Sequence, residues 1–307
     1  MDPVRVAGAV IVRAAAALES LHRPQARASM GPDNGSWFTE PCREAGTALS
    51  WSIEEHLAHA TTEYQVIDVY KTTHWGHLMA IDGFVMLTSR DNFIYHEMLV
   101  HPALFSHGDP EKVLIIGGGD CGTLHEVLAH DTVRSVLQCE IDEQVTRLAE
   151  RYFPELCARN DDPRATLMFD DGLALIRDAD DASLDVIIVD STDPIGPAEG
   201  LFGPDFVADC HRVLRDGGIL VQQSESPLIH GRLLAGIRQN MERAGFEAIR
   251  TLGFPQPCYP SGWWSATQAR KAGLLAPPDP ERVAASGITT RYYNAEVHRG
   301  ALATQIP

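Results

Sequence analysis

The sequence predicts a doubly wound α/β domain preceded by a small antiparallel β domain. In the second part of the chain, short runs of consecutive apolar residues alternate with stretches that carry apolar residues at helical spacing. Such uninterrupted runs are typical of parallel strands that are buried on both faces of a sheet. A glycine-rich turn at residues 117–122 follows the first of these runs and precedes a helical stretch, as in the first βα turn of a doubly wound sheet. The 307 residues suffice for two such domains.

Residues 1–36 are predicted to be an extension that belongs to neither domain. They are rich in Ala and Arg, and no signal-peptidase site follows their short apolar run. The extension is expected to be disordered or to result from a start assigned upstream of Met30. An Arg-rich transit peptide is the alternative.

Residues 37–89 are predicted to form the small antiparallel β domain. Apolar and polar residues roughly alternate over residues 64–70 and 77–81, as they do in strands with one buried face. The pair Asp82-Gly83 is a strong hairpin-turn signal, and it separates the second of these strands from an apolar run at residues 84–87.

Residues 90–307 are predicted to form the α/β domain, which opens with a helix that begins near Asp91. The apolar segments are expected to supply its central parallel strands, and the periodic segments are expected to supply the helices that cover them. The last strand, residues 263–268, is less apolar than the others. The predicted parallel strands are 113–116, 135–139, 166–169, 184–189 and 218–222, and the predicted helices that follow are 123–130, 143–152, 204–214 and 228–244.

The composition excludes several classes of protein. The chain has 42 acidic against 25 basic side chains, and this net charge of −17 argues against nucleic-acid binding and mildly favours cationic ligands. No apolar stretch reaches the roughly 18 residues of a membrane span. The six cysteines form no C-x-x-C pair and no Cys/His cluster with zinc-ligand spacing. We therefore expect a reduced, cytoplasmic protein without structural metal.

Carboxylates follow four successive strands of the predicted parallel sheet, at the point where each strand ends. Ligands of doubly wound sheets bind at this edge. Each acid alone could be a solvated loop residue or a helix N-cap, but the recurrence at four strands indicates a ligand site. Glu140 lies about 20 residues after the glycine turn, where a carboxylate can accept both hydroxyls of a ribose. The acids are Asp120, Glu140, Asp171, Asp190 and Asp193.

The position of Asp120 constrains the ligand further. Asp120 lies within the glycine turn, where its charge would repel the pyrophosphate of a dinucleotide. An adenosyl sulfonium carries no phosphate, but S-adenosylmethionine carries a carboxylate that Asp120 and Asp190 would both repel. Opposite charges a few ångströms apart gain several kcal/mol at intermediate dielectric. The pattern therefore favours an adenosyl sulfonium that bears a free ammonium and no carboxylate.

Several motifs resemble those of the spermidine synthases, the polyamine aminopropyltransferases, and occur in family order from about Trp37 to the C-terminus. The loop D-S-T-D-P-I-G-P-A at residues 190–198 is the most specific, because methyltransferases that share the sheet lack it. The resemblance implies a Rossmann-like, class I methyltransferase-like domain and a homodimer or homotetramer. The other motifs are G-G-G-D at 117–120, Q-C-E-I-D at 138–142 and Y-P-S-G at 259–262, with shorter matches at 63–65, 90–98 and 291–294.

The resemblance implies transfer of the aminopropyl group of decarboxylated S-adenosylmethionine to putrescine, which gives spermidine and 5′-methylthioadenosine without a cofactor or metal. Asp190 then resembles the catalytic base, assisted by Tyr95. Asp120 resembles the group that holds the donor's ammonium, Glu140 the ribose ligand and Asp171 the adenine ligand. The implied donor-binding residues are Gln65, Gly117, Gly119, Asp120, Glu140, Asp171 and Gly172, and the implied acceptor-binding residues are His96, Asp120, Asp190, Asp193 and Tyr259.

The chain departs from the family pattern at Cys121, where the family usually has Gly, and at His125, where it usually has Arg. A side chain at position 121 could add bulk beside the donor, and a positive φ angle there would cost about 1 kcal/mol or more. Alternatively, Cys121 packs between sheet and helix as a small hydrophobic residue. For the whole chain, the alternatives are a class I methyltransferase and a polyamine-binding protein with weak or no activity. The length of the acceptor is left open.

Overall fold

Two sheets organise the part of the chain that the structure describes. The structure is a computed structural model, and it describes residues 29–30, 35–194, 196–275, 277–304 and 306. The extension predicted for residues 1–36 therefore lies largely outside the described residues. Within these ranges, no helix has the length and apolar character needed to cross a membrane.

The N-terminal sheet is an antiparallel meander whose six strands lie side by side in chain order. Asp82 and Gly83 form the predicted tight turn, and both have positive φ angles, 50° and 87°, as a favoured two-residue hairpin turn requires. The strands are β1 (Ser29–Met30), β2 (Ser36–Cys42), β3 (Thr47–Thr61), β4 (Val66–Thr72), β5 (His77–Ile81) and β6 (Phe84–Thr88).

The sequence patterns indicated no strand over residues 36–61, where the structure has β2 and β3. β3 is 15 residues long, and most of its side chains are exposed or half-buried, so the apolar alternation that marks a strand is weak. β3 is instead held by backbone pairing with β2 on one side and β4 on the other.

The second sheet has the strand order β12-β13-β11-β10-β7-β8-β9 and is parallel except for β12 and β13. The order in which the chain adds strands reverses between β7 and β10, so a crevice opens at their carboxyl ends. This sheet and the antiparallel sheet before it form the predicted fold class. The strands are β7 (Lys112–Gly117), β8 (Ser135–Glu140), β9 (Ala165–Phe169), β10 (Leu184–Asp190), β11 (Leu214–Gln223), β12 (Ala248–Pro255) and β13 (Trp263–Arg270).

Helices cover both faces of the second sheet and bury its apolar side chains. On one face, Leu99 packs in a core with Ile115 and Ile188. On the other face, Ile187 packs with Phe206. The helices are α1 (Asn92–His107), α2 (Gly122–Val127), α3 (Glu143–Tyr152), α4 (Gly172–Asp178), α5 (Pro204–Val213), α6 (Gly231–Ala244), α7 (Pro280–Ala285) and α8 (Ala295–Ala303).

The antiparallel hairpin of β12 and β13 departs from the apolar pattern of the parallel strands. The sequence pattern indicated no strand at β12, where exposed Arg250 and half-buried Gly253 interrupt the buried residues. β13 buries polar side chains that are satisfied by tertiary contacts. Ser265 and Thr267 both form hydrogen bonds with the hydroxyl of Ser224, which follows β11. These partners come from distant segments, so local sequence does not reveal them.

Candidate active site

The acids that end successive strands converge at one edge of the second sheet. β8, β7 and β10 are parallel neighbours, so Glu140, Gly117 and Asp190 lie along the same edge. Tyr259, which follows β12, donates a hydrogen bond from its hydroxyl to the carbonyl of Met86 in β6. This contact joins the N-terminal sheet to the crevice, so the site lies between the two sheets.

The glycine turn allows the backbone of β7 to meet that of β10 directly. Gly117 has a φ angle of 81°, and a Cβ there would lie 2.1 Å from the carbonyl oxygen of Asp190. Gly122, at the start of α2, is also constrained, because a Cβ there would lie 2.2 Å from Cε1 of His96. Glycine at these two positions therefore brings Asp190 and His96 into contact with the turn.

Asp190 is held by two hydroxyl groups. The Tyr95 hydroxyl donates to Oδ1 at 2.7 Å, and the Thr123 hydroxyl donates to Oδ2 at 2.6 Å. Burial and the nearby Asp120 carboxylate raise the pKa of Asp190. Burial and Asp190 raise the pKa of Tyr95 well above its usual value, so the tyrosine stays protonated. The Asp190 carboxylate is thus fixed in orientation and is more basic than a solvated one.

Asp120 forms an ion pair with His96. Nε2 of His96 lies 3.3 Å from Oδ2 of Asp120, and the amide N–H of Gly122 donates to Oδ1 at 2.7 Å. Burial lowers the pKa of His96 and raises that of Asp120, but their mutual attraction opposes both effects. The net result is a His96 pKa of about 9 and a lowered Asp120 pKa. His96 is buried in α1 and orients the Asp120 carboxylate.

Glu140 lies beside the glycine turn, and Asp142 connects it to the N-terminal sheet. Oε1 of Glu140 accepts the amide N–H of Asp142 at 2.9 Å, and burial raises the Glu140 pKa to about 7. Thr62 and Gln65, in the turn between β3 and β4, donate to Oδ2 of Asp142 at 2.8 Å and 3.0 Å. Gln65 is therefore held at the edge of the crevice through Asp142.

Asp171 occupies the N-cap of α4, at the end of β9. Its Oδ1 accepts the amide N–H of Leu173 at 2.8 Å, so it has the helix-cap role that was the alternative for an isolated acid. Gly172 follows it, and a Cβ there would lie 2.6 Å from Cγ2 of Ile116. Glycine thus lets α4 approach β7 closely, with the exposed Asp171 at the same edge of the sheet as Glu140.

A small pocket continues the crevice toward the N-terminal sheet. The rings of Tyr95 and Tyr259 meet edge to face, with centroids 5.9 Å apart. The acidic and aromatic residues that line the pocket include Glu40, Glu44, Tyr95, Asp193, Glu225 and Tyr259.

Glu40 and Glu225 are pocket residues that the sequence analysis did not identify. Glu225 lies close to Asp193, and its negative charge adds to the effect of burial in raising the pKa of Asp193. Burial raises the pKa of both, and it raises the pKa of Glu40 to about 8. Glu225 follows β11, so it fits the pattern of acids at strand ends and could have been predicted from the sequence. Glu40 lies in β2, which the sequence patterns did not predict.

The side chain of Cys121 lies beneath the glycine turn. Its φ angle is 67°, in the left-handed region, and the residue is fully buried. Its sulfur lies 3.7 Å from the carbonyl oxygen of Gly119 and 3.8 Å from Nε2 of Gln138. These contacts favour the interpretation in which Cys121 packs against the sheet, and they do not place its sulfur in the crevice.

We expect Cys121→Gly to leave donor affinity within about threefold of the unmodified protein, because the sulfur lies below the turn. Relief of the left-handed strain, about 1 kcal/mol, should roughly offset the loss of buried contacts. Cys121→Ala is the matched control, because it removes the sulfur and keeps the strain. It should lower the free energy of unfolding relative to Cys121→Gly. Chemical denaturation and donor titration measure both effects, and a tenfold gain in donor affinity in the glycine variant would restore the steric interpretation.

Comparison with known proteins identifies related sequences over most of the chain. Residues 92–276 match the spermine/spermidine synthase domain, and residues 36–89 match the spermidine synthase tetramerisation domain. A polyamine aminopropyltransferase of Nitrosococcus oceani is 59% identical over 272 residues, which cover 88% of this chain and 95% of the relative. One from Alkalilimnicola ehrlichii is 56% identical over 269 residues, or 87% of this chain and 94% of the relative.

Two solved structures are similar to this chain in fold and in sequence. A crystal structure of spermidine synthase in complex with the transition-state analogue AdoDATO has a TM-score of 0.85 and 34% sequence identity. The match covers 91% of this chain and 95% of that one. The spermidine synthase of Thermotoga maritima has a TM-score of 0.83 and 32% identity, with 93% of this chain and 96% of that one covered.

Proposed function

Because this chain belongs to the spermine/spermidine synthase family and is a polyamine aminopropyltransferase, we propose that it transfers the aminopropyl group of decarboxylated S-adenosylmethionine to putrescine. The products are spermidine and 5′-methylthioadenosine. The observation that carries the proposal is the convergence of Asp120, Asp190 and Asp193 between a nucleoside-type crevice and an acidic pocket. Such a site complements a sulfonium with a free ammonium on one side and a diamine on the other.

In the proposed complex, the donor lies along the carboxyl ends of β7, β8 and β9. Glu140 accepts hydrogen bonds from the ribose hydroxyls, and Asp171 accepts one from the adenine amino group. Asp120, oriented by His96, pairs with the aminopropyl ammonium. Glycine at 117 and 119 lets the turn pack against Asp190 and Glu140, and a glycine turn of this kind allows an adenosyl group to approach the backbone.

The acceptor diamine lies in the pocket, with its distal ammonium near Asp193 and Glu225. Because burial raises the pKa of both carboxyl groups, loss of a proton from this pair on diamine binding would add negative charge to meet the ammonium. Tyr95 and Tyr259 provide aromatic surfaces for the methylene chain. The near amine then lies beside Asp190, which is fixed by Tyr95 and Thr123.

The transfer step is a direct displacement at the aminopropyl methylene carbon. The lone pair of the acceptor amine forms the new C–N bond, the C–S bond breaks, and its electron pair leaves with sulfur as a neutral thioether. The proton lost from nitrogen passes to Asp190. An alkylammonium has a pKa of about 10 and no free lone pair, so the near amine first loses one proton to solvent and reacts in its neutral form. Asp190 then takes the second proton from nitrogen as the C–N bond forms. Alignment of amine, carbon and sulfur can contribute up to roughly 7–11 kcal/mol to the lowering of the barrier.

Diamine affinity should increase with pH between about 6.5 and 8.5, because the buried carboxyl groups of the empty pocket hold protons that a cation displaces. Burial raises the pKa of Glu40 from 4.5 in the unfolded chain to about 8 in the folded protein. Between these two pH values the folded, ligand-free protein holds a proton that the unfolded chain has lost, so its stability falls as pH rises. The diamine keeps both charges because its pKa values are near 10. In Glu40→Gln the dependence should be shallower. Calorimetric titrations across this range measure it, and an identical slope in both proteins would remove Glu40 from the acceptor site.

The decisive experiment for the proposed function is a product assay. Purified protein is supplied with decarboxylated S-adenosylmethionine and, separately, with putrescine, cadaverine or spermidine, and the products are identified by mass. We expect spermidine from putrescine as the fastest reaction. Methylated products from intact S-adenosylmethionine, or binding of diamines without turnover, would favour the methyltransferase or the binding-protein alternative.

We further propose that the chain assembles through its N-terminal sheet. The match of residues 36–89 to a tetramerisation domain supports an oligomer. A homotetramer or homodimer is the expected form, and light scattering on the purified full chain distinguishes the two.

A further inference from the structure

Three side chains with metal-binding groups converge on the N-terminal sheet, outside the pocket described above. Nε2 of His56 lies 2.7 Å from Oδ1 of Asp68, and Nδ1 of His59 lies 2.8 Å from the same oxygen. One nitrogen from each imidazole and one carboxylate oxygen lie within 4.8 Å of one another. The two rings thus meet at the same carboxylate oxygen.

A β-bulge produces this convergence. Residues three apart in a regular strand lie on opposite faces, so His56 and His59 of β3 would point away from each other. In the structure, His56 pairs with Tyr70 and His59 pairs with Asp68, while the register shifts by one residue between His56 and Ala58. The extra residue turns both histidines to the face that carries Asp68 and Tyr70. Bulges often re-aim a side chain in this way.

Neighbouring residues of the sheet hold His56 and Asp68 in place. The ring of His56 stacks on that of Tyr70, with centroids 4.6 Å apart and planes 20° from parallel. Asp68 is 19% exposed, and its strand neighbours Ile67 and Val69 are buried in the core. The carboxylate and one ring are therefore held in place, while both imidazoles are partly exposed in the single chain.

The structure assigns a divalent metal site to His56, His59 and Asp68, and we propose that it binds a transition ion of the Zn²⁺ class. Two imidazoles and one carboxylate suit Zn²⁺, Co²⁺ or Cu²⁺ and leave a position for water. Tetrahedral Zn²⁺ places its ligand atoms roughly 3.3 Å apart, so the present contacts need to open by only about half an ångström. The sequence shows no metal-ligand spacing here, because the pattern H-x-x-H does not bring two rings together on a regular strand.

A metal ion at this site would connect β3 to β4 close to the turn at residues 62–65. His59 and Asp68 lie within three residues of that turn, whose Thr62 and Gln65 donate to Asp142 beside the donor crevice. The ion would therefore stiffen the hairpin that reaches the crevice. It takes no part in the transfer step, and the assignment does not depend on the proposed reaction.

The test is a calorimetric titration of untagged, chelator-treated full-length protein with Zn²⁺, repeated with Co²⁺ and visible absorption. We expect one ion per chain, and Asp68→Asn and His59→Ala should weaken binding by at least about tenfold and remove the Co²⁺ absorption band. Asp68→Asn is nearly isosteric, so it keeps the strand pairing while it removes the charged ligand. His74→Ala, which removes an exposed histidine of the same domain, is the matched control and should bind as the unmodified protein does.

Two results would overturn the assignment. One is unchanged Zn²⁺ binding in both variants. The other is loss of binding in His230→Ala, because His230, Cys42 and Glu44, which line the pocket, form a second cluster with ligand atoms close together. Thermal unfolding with and without Zn²⁺ checks that each variant folds, and a stabilising shift by Zn²⁺ should be absent from the Asp68 and His59 variants only.

Discussion

Replacement of Asp190 with Asn should lower turnover by about 10²-fold or more, with the fold and donor affinity largely kept. The asparagine side chain has the same shape and can still accept the hydrogen bond from Tyr95 or Thr123. It has no negative charge and cannot take the proton that leaves the acceptor amine. Single-turnover kinetics with saturating donor and acceptor isolate this step from binding and product release.

The matched control for Asp190→Asn is Asp216→Asn, which makes the same chemical change at an exposed position in β11. Its turnover should equal that of the unmodified protein. If Asp190→Asn also kept near-normal turnover, proton transfer to Asp190 would not be part of the mechanism. Tyr95→Phe should have a smaller effect, because it removes one of two hydrogen bonds that orient the carboxylate and leaves its charge in place.

The second large effect concerns the choice of donor by Asp120. The unmodified protein should bind decarboxylated S-adenosylmethionine at least about tenfold more tightly than S-adenosylmethionine, a difference of about 1.4 kcal/mol. The carboxylate of the latter would lie beside Asp120 and Asp190. In Asp120→Asn the preference should fall toward unity, while the amide oxygen can still accept the Gly122 N–H. Calorimetric titration of each protein with both donors gives the two ratios.

Asp171→Asn is the matched control for donor choice. It removes the same charge from the opposite, adenosine end of the proposed donor site, where the two donors are identical. It should therefore weaken both donors equally and leave their ratio unchanged. Equal affinities of the unmodified protein for the two donors would instead favour the methyltransferase alternative.

The pair formed by Asp120 and His96 explains how the acids can lie so close together. With a His96 pKa of about 9, the imidazolium supplies a positive charge at neutral pH. That charge holds Asp120 ionised even though it is near Asp190, whose own pKa is raised. The result is one reliably negative group and one more basic group, the two properties that the proposed mechanism needs for the donor's ammonium and for proton transfer.

The sequence by itself determined the parallel sheet and the edge where the candidate site lies. Apolar runs, the glycine turn and the acids at strand ends are local features, because strand burial and the residues that follow a strand depend on short segments. Asp120, Glu140 and Asp190 could be placed at one edge for this reason. The same reasoning would have included Glu225, since it follows β11 directly.

Only the tertiary structure decided which of these groups face the crevice and what surrounds them. Glu40 reaches the pocket from β2, a strand whose weak alternation hides it, and His96 lies behind Asp120 because Gly122 admits its ring. The alignment of His56 with His59 depends on a one-residue register shift against β4. In each case the contact joins segments that are distant in the chain or departs from regular strand geometry, and neither spacing nor propensity encodes such contacts.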